Sequence, residues 1–130
     1  MATIERFENI EAWKKTRELT NEIYSVSNQG AFLKDFSLRD QIRRAPVSIM
    51  SNIAEGFERG GTGEFLQFLG MAKGSTGEVR TQLYIGFDQG YISKEVFDKL
   101  YSNTIEIAGM LGSLMNYLRK TKIKGSKYKP

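Results

Sequence analysis

Four apolar stripes, each with its members alternately three and four residues apart, constrain this chain more than anything else in it. In the first segment, about Glu8 to Asn28, the residues Ala12, Thr16, Leu19, Ile23 and Val26 share one helix face, with Trp13 and Tyr24 beside them. The second starts after Ser37, whose hydroxyl suits an N-cap, and carries Leu38, Ile42, Ala45, Ile49, Asn52 and Gly56. The third starts after Thr62 with Phe65, Leu69, Ala72, Thr76, Val79, Leu83 and Gly86, and the fourth after Ser93 with Phe97, Leu100, Thr104, Ile107, Leu111, Leu114 and Leu118. Such stripes bury one face of each helix. The links NQGAFLKDFS, RGGT and QGYIS are short and rich in helix breakers, which favours antiparallel neighbours. The pattern predicts an all-α, antiparallel up-down-up-down four-helix bundle over residues 1–121, and no strand pattern or internal repeat competes with it.

A chain of 130 residues fits one domain with one core. It has no cysteine and no histidine. That excludes disulfides and thiolate chemistry, and it removes the commonest acid/base group and metal ligand. Four-helix bundles often hold di-iron sites, but these need Glu-x-x-His motifs. No metal and no cofactor is expected. No apolar run approaches the roughly 18 residues of a membrane span, and MATIERFENIEAW lacks the apolar core of a signal peptide. The expectation is a soluble, cytoplasmic protein without a membrane partner.

The net charge is +4, but it is unevenly placed. Residues 119–130, RKTKIKGSKYKP, hold six basic groups and no acidic one, leaving 13 basic against 15 acidic residues and a net charge of −2 in the body. The pI of about 9.3 is therefore a property of the tail. Residues 122–130 lose the apolar stripe and read as a basic, disordered C-terminal tail.

The second segment contains RRAPVSIMSNIAEGFERGG, residues 43–61. Pro46 leaves the Ile42 carbonyl without its helical partner, so a bend or a bound water is expected there. Folding the third segment back about Gly60–Gly61 places Ser51 near Gly70, Ser48 or Val47 near Gly74, and Arg43 and Arg44 level with Glu78. An arginine–Glu78 pair would fix the register of the two helices. Asn52 falls on the core stripe level with Trp13, whose indole it could satisfy. Gly70, Gly74 and Gly77 share a helix face. Each interior glycine costs roughly 1 kcal/mol against alanine, so a face of them calls for close contact, either with a helix of the same chain or with another subunit.

Catalysis finds little support. A serine nucleophile would have only carboxylates and lysines to activate it, and arginines explain Glu55 and Glu78 better than a carboxylate pair does. GGTGEF lacks the Lys-Ser/Thr of a phosphate loop and follows no strand. Nucleic acid is a better candidate ligand. Its contacts would be Arg39, Arg43, Arg44 and Arg59 on the second helix, Lys73 and Arg80 on the third, and Arg119, Lys120, Lys122 and Lys124 toward the end. Tyr128 is the only aromatic residue in the tail, so base stacking is weakly supported there. A solubilising tail is the equal alternative.

The stretches DQIRRAPVSIMSNIAEGFERG and EFLQFLGMAKGSTGEV resemble the signature of the four-helix-bundle proteins encoded within intervening sequences of bacterial 23S ribosomal RNA genes. Arg43, Arg44, Ser48, Asn52, Ile53, Ala54, Glu55 and Gly56 carry its first block, and Gly74, Ser75 and Glu78 its second. Trp13 and Tyr24 fit its first helix, and Gly90-Tyr91-Ile92 its last turn. The chain departs from that pattern at Pro46, Met50, Thr76 and Gly77. The resemblance implies a ring-like homo-oligomer, with pentamers expected for relatives. It also implies kinship to the accessory subunit of diversity-generating retroelements, which works with a reverse transcriptase and RNA. The reading that follows is a non-enzymatic homo-oligomer that binds nucleic acid, RNA in preference. The alternative is an adaptor module that recruits a protein partner and no nucleic acid.

Overall fold

The structure, a computed structural model, describes residues 4–121. Lys122, Lys124 and the remainder of the tail lie outside the described residues. A 3-10 turn, Phe7–Asn9, leads into α1, Glu11–Ser27; then come α2, Gly30–Lys34, α3, Phe36–Glu58, α4, Thr62–Asp88, and α5, Lys94–Thr121. Helix α1 packs beside α3 and α5, and α4 beside α3 and α5. The four long helices thus form a closed square in which sequence neighbours are spatial neighbours, the up-down-up-down order.

The core is built from the four stripes. Leu19, Ile23, Ile42, Ile49, Phe65, Leu69, Val79, Leu83, Ile107 and Leu111 are fully buried. The threonines on the stripes satisfy themselves locally: Thr16 donates to the Ala12 carbonyl at 2.7 Å, Thr20 to that of Thr16 at 2.7 Å, and Thr104 to that of Tyr101 at 2.6 Å. A hydroxyl bonded back to its own helix can be buried without an orphaned donor.

Several expectations are corrected. The first connection holds a helix of its own, α2, which starts at Gly30 with φ of +52°. Asp35, not Ser37, caps α3: its Oδ1 accepts from the Leu38 N–H at 3.1 Å. Pro46 is buried inside a continuous α3, a placement compatible with the bend expected beside the Ile42 carbonyl. Gly90 (φ +77°) closes α4, with its N–H on the Phe87 carbonyl and the Tyr91 N–H on that of Gly86, both at 2.9 Å. This pair of bonds is the Schellman arrangement, which requires a left-handed residue at that position.

The register of α3 against α4 is set by small groups. Asn52 donates to the Ser48 carbonyl at 2.9 Å and to Ser48 Oγ at 3.2 Å. Ser48 Oγ lies 3.3 Å from Ser75 Oγ across the interface. Asn52 is half-buried and turned to its own helix, so it does not serve Trp13, which packs edge-on against Phe7 at 5.4 Å. Close approach occurs at Gly56, where an added Cβ would lie 2.5 Å from Phe68 Cβ. It does not occur at Gly74, where nothing lies within 4 Å of such an atom.

Candidate nucleic-acid interface

The structure sorts the basic residues by what holds their charge. Arg59 is tied to Glu55 at 2.9 Å and to Glu64 at 3.4 Å, and the hydrogen bond it donates to Glu55 raises its pKa further. Arg39 pairs with Asp40 at 3.0 Å, donates to the Leu33 carbonyl at 3.2 Å and lies over the Phe36 ring. Arg43 turns to α1, donating to the buried Ser27 hydroxyl at 2.8 Å with its guanidinium over the Tyr24 ring. These three hold the bundle together. The expected arginine–Glu78 pair is absent: Arg43 is engaged on α1, and Arg44 shares a cleft with Glu78 without an ion pair between them among the described residues.

Arg44, Lys73, Arg80, Arg119 and Lys120 have no carboxylate within ion-pair distance among the described residues. Two of them lie along the groove between α4 and α5, and a third on the α4 side of α5. Lys73 and Arg80 are about two turns apart on one face of α4. The Lys73 Nζ reaches across to α5, 3.8 Å from where a Cβ on Gly112 would stand. Arg80 is half-buried, donates to Thr76 Oγ1 at 3.3 Å, and its guanidinium lies 3.8 Å from where a Cβ on Gly77 would stand. Arg119 falls about five turns beyond Tyr101 on the same azimuth of α5. The glycines beside these cations leave open the room a side chain would fill.

An aromatic cluster closes one end of this groove. Tyr84 of α4 packs on Phe97 and Tyr101 of α5, with ring centroids at 4.9 and 5.7 Å, and Phe87 lies 5.3 Å from Phe97. Tyr84 is 51% exposed and Phe87 37%. A hydrogen bond with Tyr101, then the charge of that neighbouring phenol and burial, raise the Tyr84 pKa above its ordinary value. The acidic side chains of the two helices are largely engaged elsewhere. Glu64 is on Arg59, Glu106 on Lys15 of α1, Asp98 on Lys94, and Glu78 lines the α3/α4 cleft. The result is a strip about 25 Å long that combines stacking surface with cations free of local acids. Sequence reasoning placed Lys73, Arg80 and Arg119 among its candidates but missed the aromatic residues. The available signal was the Phe97/Tyr101 pair one turn apart, facing Tyr84 and Phe87 across a short turn.

The other motif residues have structural work. Glu55 holds Arg59, while Ser48 and Ser75 bridge α3 to α4, with Asn52 holding Ser48 from within α3. Glu55 lies near the level of Phe68, so it stands roughly 15 Å along the bundle from Glu78. That is too far for the carboxylate pairs of glycoside hydrolysis, which are about 5–9.5 Å apart. Among the described residues no three acidic side chains converge as metal ligands, and no helix is long and apolar enough to cross a membrane.

Fold and surface together define a class, the small up-down four-helix bundle whose polar motif residues fix helix register. Residues 8–113 match the family described as 23S rRNA-intervening sequence protein, and the chain belongs to that family. A solved structure from Bacteroides thetaiotaomicron, described as a protein of unknown function from the S23 ribosomal protein family, superposes with a TM-score of 0.72. It shares 24% identity, over 80% of this chain and 97% of the other. At that identity the likeness shows the fold. No match is found among curated proteins.

Proposed function

We propose that this chain is a non-enzymatic, homo-oligomeric four-helix-bundle protein of the cytoplasm that binds nucleic acid, RNA in preference, through the α4/α5 strip. The observation that carries the proposal is the strip itself: Lys73 and Arg80 without acidic partners, in line with a half-exposed Tyr84 backed by Phe97 and Tyr101. Cations that track a backbone, next to rings on which bases stack, are the recurring solution for single-stranded nucleic acid. The family's name ties its members to ribosomal RNA genes, which favours RNA over DNA. A ring, with a pentamer as the expected number, would set several strips close together and multiply weak contacts by effective concentration.

Filter binding of single-stranded and structured RNA across a salt series tests this reading. Affinity should fall steeply with salt, because each neutralised phosphate releases counterions. Absence of binding at low salt would sink it. The alternative, a protein-recruiting adaptor, draws on exposed apolar side chains away from the strip, chiefly Phe36, which is 64% exposed. A pull-down from the native host that returns a protein partner and no RNA would favour it.

A further inference from the structure

The outer surface of α3 and α4 carries groups that the described residues leave unanswered. Between the two helices lies a cleft of about 250 Å³ lined by Gln41, Arg44, Ala45, Ser48, Glu78 and Gln82. Gln82 is 9% exposed, and its Oε1 is buried without a hydrogen-bond partner. A buried amide oxygen left unpaired is costly, and natural structures rarely tolerate it. Arg44 and Glu78 flank the same cleft with opposite charges, yet neither forms an ion pair among the described residues. Around Glu78 the outward stripe of α4 is otherwise uncharged, running through Gln67, Met71, Gly74, Thr81 and Ile85. Met71 and Ile85 are 44% and 43% exposed. A side chain at Gly74 would meet nothing among the described residues.

We infer that this face receives a second copy of the chain, with Arg44 of one copy entering against Glu78 and Gln82 of the next. The inference deepens the homo-oligomer reading above and rests on it. Charge complementarity supports it. One surface presents an unpaired cation on α3 and an unpaired anion on α4, so copies docked α3 edge to α4 face satisfy both. Glu78 and Gln82 are one turn apart on the same side of α4. A guanidinium carries five N–H donors in a planar fork. It can therefore serve the Glu78 carboxylate and the Gln82 amide oxygen together, once that amide turns about its last bond toward the cleft. Gly74, lacking a side chain, lets the incoming helix come close. The α3 edge of one copy set against the α4 face of the next is a head-to-tail contact, the kind that closes rings, whereas reciprocal pairing of the same cleft across a two-fold axis would give a dimer.

The test is mass in solution by light scattering at micromolar concentration, with helicity followed by circular dichroism. Arg44→Glu and Glu78→Arg should each weaken assembly on the order of tenfold or more, since each sets like charges together. Mixing the two variants should restore assembly wherever unlike copies alternate, because the carboxylate introduced at position 44 of one copy then meets the guanidinium introduced at position 78 of the other; a ring with an odd number of copies keeps one mismatched contact, so the expected product is open or even-numbered assemblies. An Arg44–Glu78 pair within one chain cannot be rescued by mixing. Gly74→Trp should block assembly while helicity is kept, since among the described residues nothing stands within 4 Å of a Cβ there. Single variants that keep the wild-type mass, or that fail to reassemble on mixing, would overturn this contact and leave the homo-oligomer standing. A wild-type chain that stays monomeric would remove the homo-oligomer and the contact together.

Discussion

Replacing Gly56 with alanine should destabilise the bundle, although the same change at most helical glycines does the opposite. Gly56 lies on α3 where α4 comes closest, and an added Cβ would sit 2.5 Å from Phe68 Cβ and 3.2 Å from both Phe68 Cγ and Phe65 Cδ1. Phe68 Cβ is one bond from the backbone, so no side-chain rotation relieves the contact. The helices must part by about 1 Å to reach ordinary separation, loosening the Phe57–Phe65 edge contact at 5.9 Å. Overpacking a core costs typically about 1–3 kcal/mol, and a backbone-anchored clash belongs in the upper part of that range. Alanine returns about 1 kcal/mol of helix propensity, so the net loss is about 2 kcal/mol. For a chain of this size that is a fall in Tm of about 6 °C. Thermal and urea unfolding at fixed protein concentration measure it, with the urea m value unchanged. Gly109→Ala on α5 is the control: nothing lies within 4 Å of its added Cβ, and it should gain up to about 1 kcal/mol. If Gly56→Ala is neutral or stabilising while Gly109→Ala stabilises, the close approach of α3 and α4 is wrong.

Three further outcomes are expected. Lys73→Ala and Arg80→Ala should each lower the salt slope of RNA binding by about 1, and Tyr84→Ala should weaken binding roughly tenfold. Arg59→Ala, whose charge is spent on Glu55 and Glu64, should leave RNA binding unchanged in the same filter assay; equal losses at the three basic sites would show only a general charge effect. Asp35→Ala should cost about 1–2 kcal/mol in chemical unfolding by removing the α3 cap, with Asp35→Asn recovering most of it. Tyr91 donates to Asp35 Oδ2 at 2.9 Å, and that hydrogen bond, then burial and the Asp35 charge, raise its pKa. The contact is therefore fully present below the ordinary tyrosine value of about 10 and is lost as pH rises through the raised folded value. Tyr91→Phe should lower Tm at pH 8, and its deficit against wild type should shrink above about pH 10; a deficit that is constant with pH would refute the coupling.

The stripes made the architecture readable, and their small errors have one physical origin. Every stripe residue of α4 is buried, and so are Ala12, Thr16, Leu19 and Ile23 of α1. On α3 the expected stripe passes through Asn52, but Ile53 is the fully buried residue and Asn52 is half-buried. A strict three-four alternation has a period of 3.5, whereas the helix turns every 3.6 residues, so the core drifts off the stripe over several turns. Helix α2 escaped because five residues are too few to show a period. Ser37 lost the cap to Asp35 because α2 ends just before α3 begins, a local geometry that composition does not reveal.

The allocation of charge was only partly legible, and the reason separates local from non-local pairing. Arg59 with Glu55 is an i,i+4 pair, readable from spacing alone. Arg43 with Ser27 and Tyr24 joins residues 16 and more apart on different helices, so it depends on a register that only the fold supplies. The same holds for the strip: Lys73 reaches α5 only because Gly112 stands opposite, and Tyr84 becomes a stacking surface only because α5 brings Tyr101 beside it. The glycine face makes the point most sharply. Spacing marked Gly70, Gly74 and Gly77 as one device, yet the structure divides them. Gly70 lies by Met115 and Gly77 by the Arg80 guanidinium, while Gly74 faces open space. Gly74 shares that openness with Gly63 and Gly109; what sets it apart is its place one turn before Glu78, on the side of α4 where Glu78 and Gln82 meet Arg44 across the cleft.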